Sequence, residues 1–306
     1  MIYVSHPDCL LHETPRGHPE QVARLRAVEV ALAETELERR DAPLGADADI
    51  LRCHPQSHLD HVIASAPTAG IVSLDPDTHM SSGSLVAARR AVGGCVAAVD
   101  AVLAGEARAA FVGCRPPGHH AEARRAMGFC LFGNVAIAAK RALDHHGLAR
   151  VAVVDFDVHH GNGTQDLLWD EARALFLSSH QMPLYPGSGA RDERGAHDTV
   201  RNLPLAAGTS GHEMRRIYED EVFPALLAFA PELILVSAGF DAHRADPLAG
   251  LMWEVEDFAW LTGRLCDVAE VVCGGRIVSA LEGGYDLPAL GASVAAHVAV
   301  LKERSA

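Results

Sequence analysis

The chain has 306 residues, of which 49% are hydrophobic and 22% are charged, as in globular proteins rather than disordered or fibrous ones. Its 26 basic and 40 acidic residues give a net charge of −14 at pH 7, which excludes the basic surface that general nucleic-acid binding requires. Seven scattered cysteines without a CxxC pair exclude a disulfide framework and indicate reduced thiols, hence a cytoplasmic location. No apolar run is long enough to span a membrane. From the charge and the missing span, we expect neither nucleic acid nor membrane as a partner.

Short apolar runs alternate with longer helical patterns along the chain. Near-continuous apolar runs, which are typical of buried parallel strands, lie at 110–113, 151–155, 174–178, 233–237 and 276–281. Helical patterns lie at 19–40, 82–105, 132–146, 210–229, 254–273 and 287–303. This alternation predicts an α/β fold with a parallel sheet and right-handed crossovers. Because no repeat or linker interrupts it, we expect residues 1–306 to form a single domain.

Polar segments follow four of the predicted strands at the point where each strand ends. They are residues 115–120, 155–163, 238–241 and 282–286, and they contain carboxylates, imidazoles and a phenol. In an open α/β sheet, ligands bind beyond the carboxyl ends of the strands. The convergence of these four segments predicts an enzyme.

Asp157 and His159 are candidate metal ligands after one strand, and Asp241 after another is a third. Two residues apart in an extended segment, Asp157 and His159 point the same way. Three protein ligands leave positions open for water and substrate, as in catalytic zinc sites. The mixed oxygen and nitrogen donors suit Zn²⁺, and Fe²⁺ or Co²⁺ is also compatible with them. The alternative is structural, with Asp157 capping the following helix and His159 packed beside it.

The tandem pair His119-His120 follows two prolines and a glycine, which restrict the loop. Imidazoles transfer protons near neutral pH, and hydrolysis of an amide requires both a base and an acid. Asp155 and Asn162 are candidates for the groups that orient these rings. The alternative is a pair of surface histidines in a loop.

Tyr285 lies in a Gly-Gly-Tyr turn after the last strand, and its phenol can donate to a developing oxyanion. The alternative is a tyrosine packed at the edge of the sheet. The spacing of His54, His58 and His61 lacks the glutamate of an HExxH motif, so we expect them to line a partly exposed helix.

Together these segments resemble the histone deacetylase family of the arginase–deacetylase superfamily. The matching stretches follow the family's order: His18-Pro19-Glu20 with Arg24, RPPGHHAE (115–122), Gly128-Phe129-Cys130, DFDVHHGNGTQ (155–165), 178–180, SAGFDAHRADPL (237–248) and LEGGYD (281–286). Asn162 and Glu282 are similar to the class II branch.

The resemblance implies an eight-stranded parallel sheet with helices on both faces and a metal at the base of a narrow tunnel. It assigns Zn²⁺ to Asp157, His159 and Asp241, and general base and acid catalysis to His120. His119, backed by Asp155, stabilises charge, and Tyr285 polarises the acyl carbonyl. An imidazole backed by the amide of Asn162 is less basic than one backed by a carboxylate. We therefore expect a neutral His120 and a charged His119.

The resemblance also implies residues that contact the substrate and a second cation. The Gly128 backbone is the expected partner of the scissile amide, and Phe129 and Tyr185 flank the aliphatic stem. Tyr185 departs from the phenylalanine common in the family, and Leu248 replaces the glutamate of polyamine-specific relatives. A structural K⁺ is expected at Asp155, Asp157, His159, Ser178 and Ser179, with several of these ligands being backbone carbonyls.

The sequence thus predicts a zinc-dependent amidohydrolase that removes acetyl or related acyl groups from lysine side chains of peptides or proteins. Hydrolysis of acetylpolyamines or other small acetylated amines is the alternative, and an oligomer is compatible with the sequence. An arginase-like enzyme with two Mn²⁺ would need further bridging aspartates, where the chain has His160 and Asn162. An inactive module that binds acyl-lysine is disfavoured because every proposed site residue is present.

Overall fold

The computed structural model describes residues 1–306. The strands are β1 (Ile2–Ser5), β2 (Glu38–Asp41), β3 (Ile71–Ser73), β4 (His79–Ser81), β5 (Ala109–Val112), β6 (Val151–Asp155), β7 (Ala174–Gln181), β8 (Val200–Leu205), β9 (Ile234–Ala238) and β10 (Ile277–Leu281). Eight of them form one sheet in the order β2-β1-β5-β10-β9-β6-β7-β8, and every pairing in it is parallel. β3 and β4 form a separate antiparallel hairpin. The predicted eight-stranded parallel sheet is confirmed.

Helices connect most of the strands of the main sheet, as is usual for parallel neighbours, although β7 and β8 are joined without one. The helices are α1 (Val22–Ala31), α2 (Asp47–Ile50), α3 (Gln56–Ser65), α4 (Ser84–Leu103), α5 (Asn134–Asp144), α6 (Asn162–Leu168), α7 (Gly211–Ile217), α8 (Phe223–Phe229), α9 (Val255–Cys273) and α10 (Leu287–Arg304). A 3-10 helix spans Pro7–Leu11 and a π-helical turn spans Tyr218–Val222. None of the helices combines the length and apolar character needed to cross a bilayer.

The sheet separates two apolar layers because alternate side chains of a strand point to opposite faces. On β6, Ala152 and Val154 pack on the side of α1, α9 and α10, whereas Val151 and Val153 pack on the side of α4 and α5. Every residue of β6, β9 and β10 is buried. Coverage on both faces explains why these strands are recognisable as continuous apolar runs.

The structure corrects one of the predicted helices and adds detail to another. The helix expected over 19–40 ends with α1 at Ala31, and Glu38–Asp41 forms the edge strand β2 instead. Its charged sequence gives no apolar signal, since exposed edge strands carry charges that discourage pairing with other chains. The helix expected over 210–229 is present as one helical stretch, in which the π-helical turn joins α7 to α8. Strand β1 and the edge strand β8, which contains Pro204, were not predicted.

The four polar segments lie at one edge of the sheet, as predicted. The strands that precede them, β5, β10, β9 and β6, are consecutive neighbours in the sheet and run in the same direction. Their carboxyl ends therefore meet at one edge. This topology brings segments that are distant in sequence into a single site.

Candidate active site

The side chains of Asp157, His159 and Asp241 converge at this edge. Their ligand atoms all lie within 4.8 Å of one another, and all three residues are buried. Nδ1 of His159 is 3.1 Å from Oδ1 of Asp157 and 3.1 Å from Oδ2 of Asp241. Two carboxylates and one imidazole facing a common point are donors that suit a divalent transition metal.

The electrostatics of this cluster favour a positive charge between the carboxylates. Burial opposes a charge on His159, but its hydrogen bonds to Asp157 and Asp241 outweigh burial and raise its pKa to about 10. Burial and the nearby charge of Asp157 raise the pKa of Asp241. The donors therefore fit a bound cation, which would neutralise the paired carboxylates.

Backbone amides hold both carboxylates in place. Oδ2 of Asp157 accepts from the Gly283 amide at 2.8 Å, and Oδ1 of Asp241 accepts from the Val158 amide at 2.9 Å. A Cβ atom at Gly239 would collide with the Asp157 carboxylate, and one at Gly283 would collide with the Asp241 carboxylate. This close approach explains the glycines in the AGFD and EGGY segments. Such outer contacts orient metal ligands.

His119 contacts two carboxylates. Its Nδ1 donates to Oδ2 of Asp155 at 3.0 Å, and its Nε2 lies 3.7 Å from Oδ2 of Asp157. Burial opposes charge on His119, but the charges of Asp157 and Asp155 outweigh burial and hold its pKa well above the ordinary value. This direction agrees with the charged His119 expected from the sequence.

His120 has the opposite environment. Its Nδ1 lies 2.7 Å from the amide oxygen of Asn162, the first residue of α6. Burial and the neighbouring charges of His119 and His159 hold the pKa of His120 well below the ordinary value. A neutral imidazole with one unprotonated nitrogen can accept a proton, again as expected from the sequence.

Tyr285 lies between Arg24 and Phe129. The Arg24 guanidinium carbon is 4.8 Å from the centroid of the Tyr285 ring, and the Phe129 ring packs edge-on at 5.9 Å. Burial holds the pKa of the phenol well above the ordinary value, although the charge of Arg24 opposes this effect. The hydroxyl is therefore protonated and available as a donor. The next residue, Asp286, caps α10 by accepting from the Ala289 amide at 2.9 Å.

The remaining substrate-contact candidates surround these groups. Gly128 and Phe129 have left-handed backbones, with φ of 54° and 68°, and a Cβ at Gly128 would collide with the His120 ring. The half-exposed Tyr185 ring packs edge-on against His120 at 5.2 Å. The Leu248 amide donates to Oδ1 of Asp246 at 3.0 Å. The other oxygen of Asp246 accepts from the Tyr285 amide at 2.7 Å, which links the two segments.

The predicted potassium ligands lie behind the metal candidates. Asp155 on β6 is the register partner of Ser178 on β7, and both are fully buried. Oδ1 of Asp155 accepts from the Asp157 amide at 3.1 Å. The Ser179 hydroxyl is 2.6 Å from the hydroxyl of Tyr218, which the π-helical turn carries. The structure thus groups these residues, and their binding of K⁺ stays a prediction.

Glu20 lies in a motif that resembles the family, and the structure shows that its side chain joins two parts of the site. Its buried carboxylate accepts from Arg24 at 3.0 Å and binds Arg115 through both oxygens. Arg24 also donates to the Gly284 carbonyl at 2.6 Å, next to Tyr285. Glu20 lies just before α1 and Arg24 lies in its first turn, and their separation of four residues was the available signal.

Glu282 is a second residue whose role sequence reasoning missed. Its carboxylate accepts from the amides of Gly118 at 2.7 Å and His119 at 3.2 Å. Burial raises the pKa of Glu282 to about 7, against the charge of His119. This contact fastens the tandem-histidine loop to the end of β10.

The expectation of a partly exposed helix is wrong for His54 and His58. Both side chains are buried and stack with ring centroids 4.6 Å apart. Nε2 of His54 accepts from the Gly133 amide at 2.9 Å, and Nε2 of His58 is 2.9 Å from the Leu131 carbonyl. Burial lowers the pKa of both rings, so they are neutral and support the loop that follows Phe129.

The sheet order, the helices on both faces and the site at the carboxyl ends of the strands define the arginase–deacetylase fold. The family profile described as the histone deacetylase domain matches residues 18–301, and the chain belongs to the histone deacetylase family.

The chain is also similar to individual proteins. An uncharacterized protein of Synechocystis sp. is 44% identical over 292 residues, which cover 93% of this chain and 94% of that protein. The histone deacetylase-like amidohydrolase of Pseudomonas aeruginosa is 43% identical over 283 residues, covering 88% of this chain and 73% of that protein. The crystal structure of the HDA15 HD domain superposes with a TM-score of 0.93 at 33% identity, covering 99% of this chain and 91% of that one.

Proposed function

We propose that this protein is a zinc-dependent amidohydrolase that removes acetyl or related acyl groups from lysine side chains of peptides or proteins, with residues 1–306 as one catalytic domain. The observation that carries the proposal is the cluster of Asp157, His159 and Asp241 beside two imidazoles with opposite protonation preferences. Pairs of titratable groups whose pKa values are driven apart mark acid and base roles.

Asp157, His159 and Asp241 would hold the metal. Zn²⁺ there would act as a Lewis acid toward the carbonyl and lower the pKa of water to about 7. The donor set also accommodates Fe²⁺. Buried neighbours of these ligands, namely Asp155, Ser178 and Ser179, would hold a structural K⁺ together with Asp157 and His159.

His120 moves the proton in this proposal. Nε2 of the neutral ring accepts a proton from the attacking water and returns it to the nitrogen of the leaving lysine amine. The scissile carbon–nitrogen bond breaks, and acetate and free lysine are released. His119 stays charged because Asp155 and Asp157 face it, and its charge stabilises the developing negative charge.

Tyr285 donates its hydroxyl proton in a hydrogen bond to the oxyanion that forms from the acyl carbonyl. Removal of one such donor typically costs about 3–4 kcal/mol of transition-state stabilisation. The backbone of Gly128, which packs closely against the His120 ring, accepts a hydrogen bond from the amide N–H of the substrate. Phe129 and Tyr185 flank the aliphatic stem of the lysine.

Leu248 supports lysine over a polyamine as the substrate. An acetylpolyamine carries a distant ammonium, and an apolar side chain offers that ammonium no partner. The Leu248 segment is fastened to the Tyr285 turn by Asp246, so its position relative to the site is fixed.

A substrate panel tests the proposal. The zinc-loaded protein is assayed with acetyl-lysine peptides and with N-acetylspermidine, then after chelation and after return of zinc. We expect turnover of the peptides, its loss on chelation and its recovery with zinc. Preferential turnover of N-acetylspermidine would establish the small-amine activity instead. Peptide binding without turnover would show a binding module.

A further inference from the structure

A chain of polar contacts leads from His120 to the surface. Nδ1 of His120 is 2.7 Å from Oδ1 of Asn162, and Nδ2 of Asn162 donates to Oε1 of Glu122 at 2.8 Å. His120 and Asn162 are buried, and Glu122 is half-buried. The mechanism proposed above gives Glu122 no role.

The carboxylate determines which way the amide of Asn162 faces. The two ends of an asparagine amide are similar in shape, and hydrogen-bond partners decide between them. An ionised carboxylate only accepts, so Nδ2 of Asn162 must face Glu122. The Met127 sulfur, a weak acceptor, lies on the same side at 3.4 Å from Nδ2. The amide oxygen therefore faces the ring of His120.

The orientation of the amide in turn selects the tautomer of His120. An amide oxygen only accepts, so Nδ1 of the neutral ring must carry the hydrogen. Nε2 then keeps its lone pair, which is the form that a general base requires. A flipped amide would present N–H to Nδ1 and would place the hydrogen on Nε2.

We propose that Glu122 is a positioning residue that fixes the amide of Asn162 and thereby the tautomer of His120. The proposal rests on the proposed function for its catalytic consequence. The backbone of Glu122 is itself fixed, because its amide donates to the Arg125 carbonyl at 3.0 Å in a tight turn. The Ala123 amide donates to Asp166 at 2.8 Å, which anchors the same turn to α6.

Three substitutions of Glu122 separate this role from simple packing. Glu122→Gln keeps an acceptor oxygen and is expected to keep the tautomer and most of the activity. Glu122→Ala removes the acceptor and is expected to give a mixture of tautomers. Glu122→Lys offers only donors, so it is expected to flip the amide and lower kcat by about 10²–10⁴-fold, as a wrong histidine tautomer does in other hydrolases.

A second substitution tests why Glu122→Lys loses activity. In Glu122→Lys, the further change Asn162→Asp replaces the amide by a carboxylate that accepts from both neighbours. We expect the double variant to regain the Nδ1–H tautomer and to be at least tenfold more active than Glu122→Lys alone. Glu34→Lys makes the same change of charge at an exposed position and is expected to leave activity unchanged.

The tautomer is measured directly by ¹⁵N NMR of the full chain labelled at its histidines and loaded with zinc. The His120 signals are identified by their absence in His120→Gln, and circular dichroism checks the folding of each variant. A retained Nδ1–H tautomer in both Glu122→Ala and Glu122→Lys would overturn the proposal. Inactive wild type with the expected tautomer changes would overturn the proposed function and leave the positioning role standing.

Discussion

His119 and His120 are adjacent in sequence, and their ring centroids are only 4.0 Å apart, yet the protein drives their pKa values in opposite directions. The difference follows from the groups around each ring. Burial opposes charge on both rings. At His119 the carboxylates of Asp157 and Asp155 outweigh burial, whereas at His120 the charges of His119 and His159 add to it and the amide of Asn162 does not compensate.

The first prediction concerns Asn162→Asp. A carboxylate 2.7 Å from Nδ1 of His120 would favour the charged ring and raise the pKa of His120. Because the neutral ring is the base, activity would be lost at a higher pH, and the acid limb of the pH–kcat/KM profile is expected to move upward by about one unit or more. An acid limb that coincides with that of the wild type would contradict the role of His120 as base.

The second prediction is that the Tyr285 hydroxyl is needed for activity. Tyr285→Phe is expected to fold normally, keep its metal and lose about 10²–10³-fold in kcat, because one oxyanion donor is missing. Steady-state kinetics and metal content measure the two effects. Tyr3→Phe also removes a hydroxyl, which bonds Glu29 at 2.6 Å away from the site, and is expected to keep kcat. Wild-type kcat in Tyr285→Phe would refute the oxyanion role.

Metal binding should stabilise the folded chain. A ligand that binds only the folded state at 100 times its Kd adds about 2.7 kcal/mol to the free energy of unfolding. Zinc at that excess is therefore expected to raise Tm in the wild type, and the increase should vanish in His159→Ala. His212→Ala removes an exposed histidine and should keep the full increase. An equal shift in both variants would place the zinc elsewhere.

The fourth prediction is that Glu20→Gln destabilises the protein. It leaves Arg24 and Arg115 buried without their shared counter-charge, which costs about 3–5 kcal/mol in the free energy of unfolding. Urea denaturation measures the loss, and Glu13→Gln is the exposed control. A variant as stable as Glu13→Gln would show that the buried network contributes little.

The environment of Glu20 also makes the stability of the folded protein depend on pH. Burial alone would raise its pKa, but the charge of Arg115 and the nearby imidazole of His12 hold it well below the ordinary value. The unfolded glutamate has a pKa of about 4.3, so the stabilisation is present above that pH and is lost as the pH falls toward the folded-state value. The Glu20→Gln variant should therefore lack this part of the acid sensitivity.

The sequence predicted the elements and contacts that depend on local patterns. The central strands were predicted because both of their faces are apolar. The proximity of Asp157 and Asp241 was predicted because the carboxyl ends of parallel strands meet at one edge of the sheet. The strand at Glu38–Asp41 was missed because its charges reflect an exposed edge position, which is a property of the whole sheet. The burial of His54 and the Glu122–Asn162 contact depend on packing between distant segments, which no single segment encodes.

Leu248→Glu tests the preference for lysine substrates. A carboxylate at this half-buried position would offer a partner to the distant ammonium of N-acetylspermidine, and such a pair contributes about 1 kcal/mol. The ratio of kcat/KM for N-acetylspermidine to that for an acetyl-lysine peptide is expected to rise about fivefold. Leu248→Gln has a similar size without the charge and should leave the ratio near that of the wild type. The two variants differ only in charge. An equal change of the kcat/KM ratio in both would therefore show that the shape of the side chain, and not its charge, determines the selectivity.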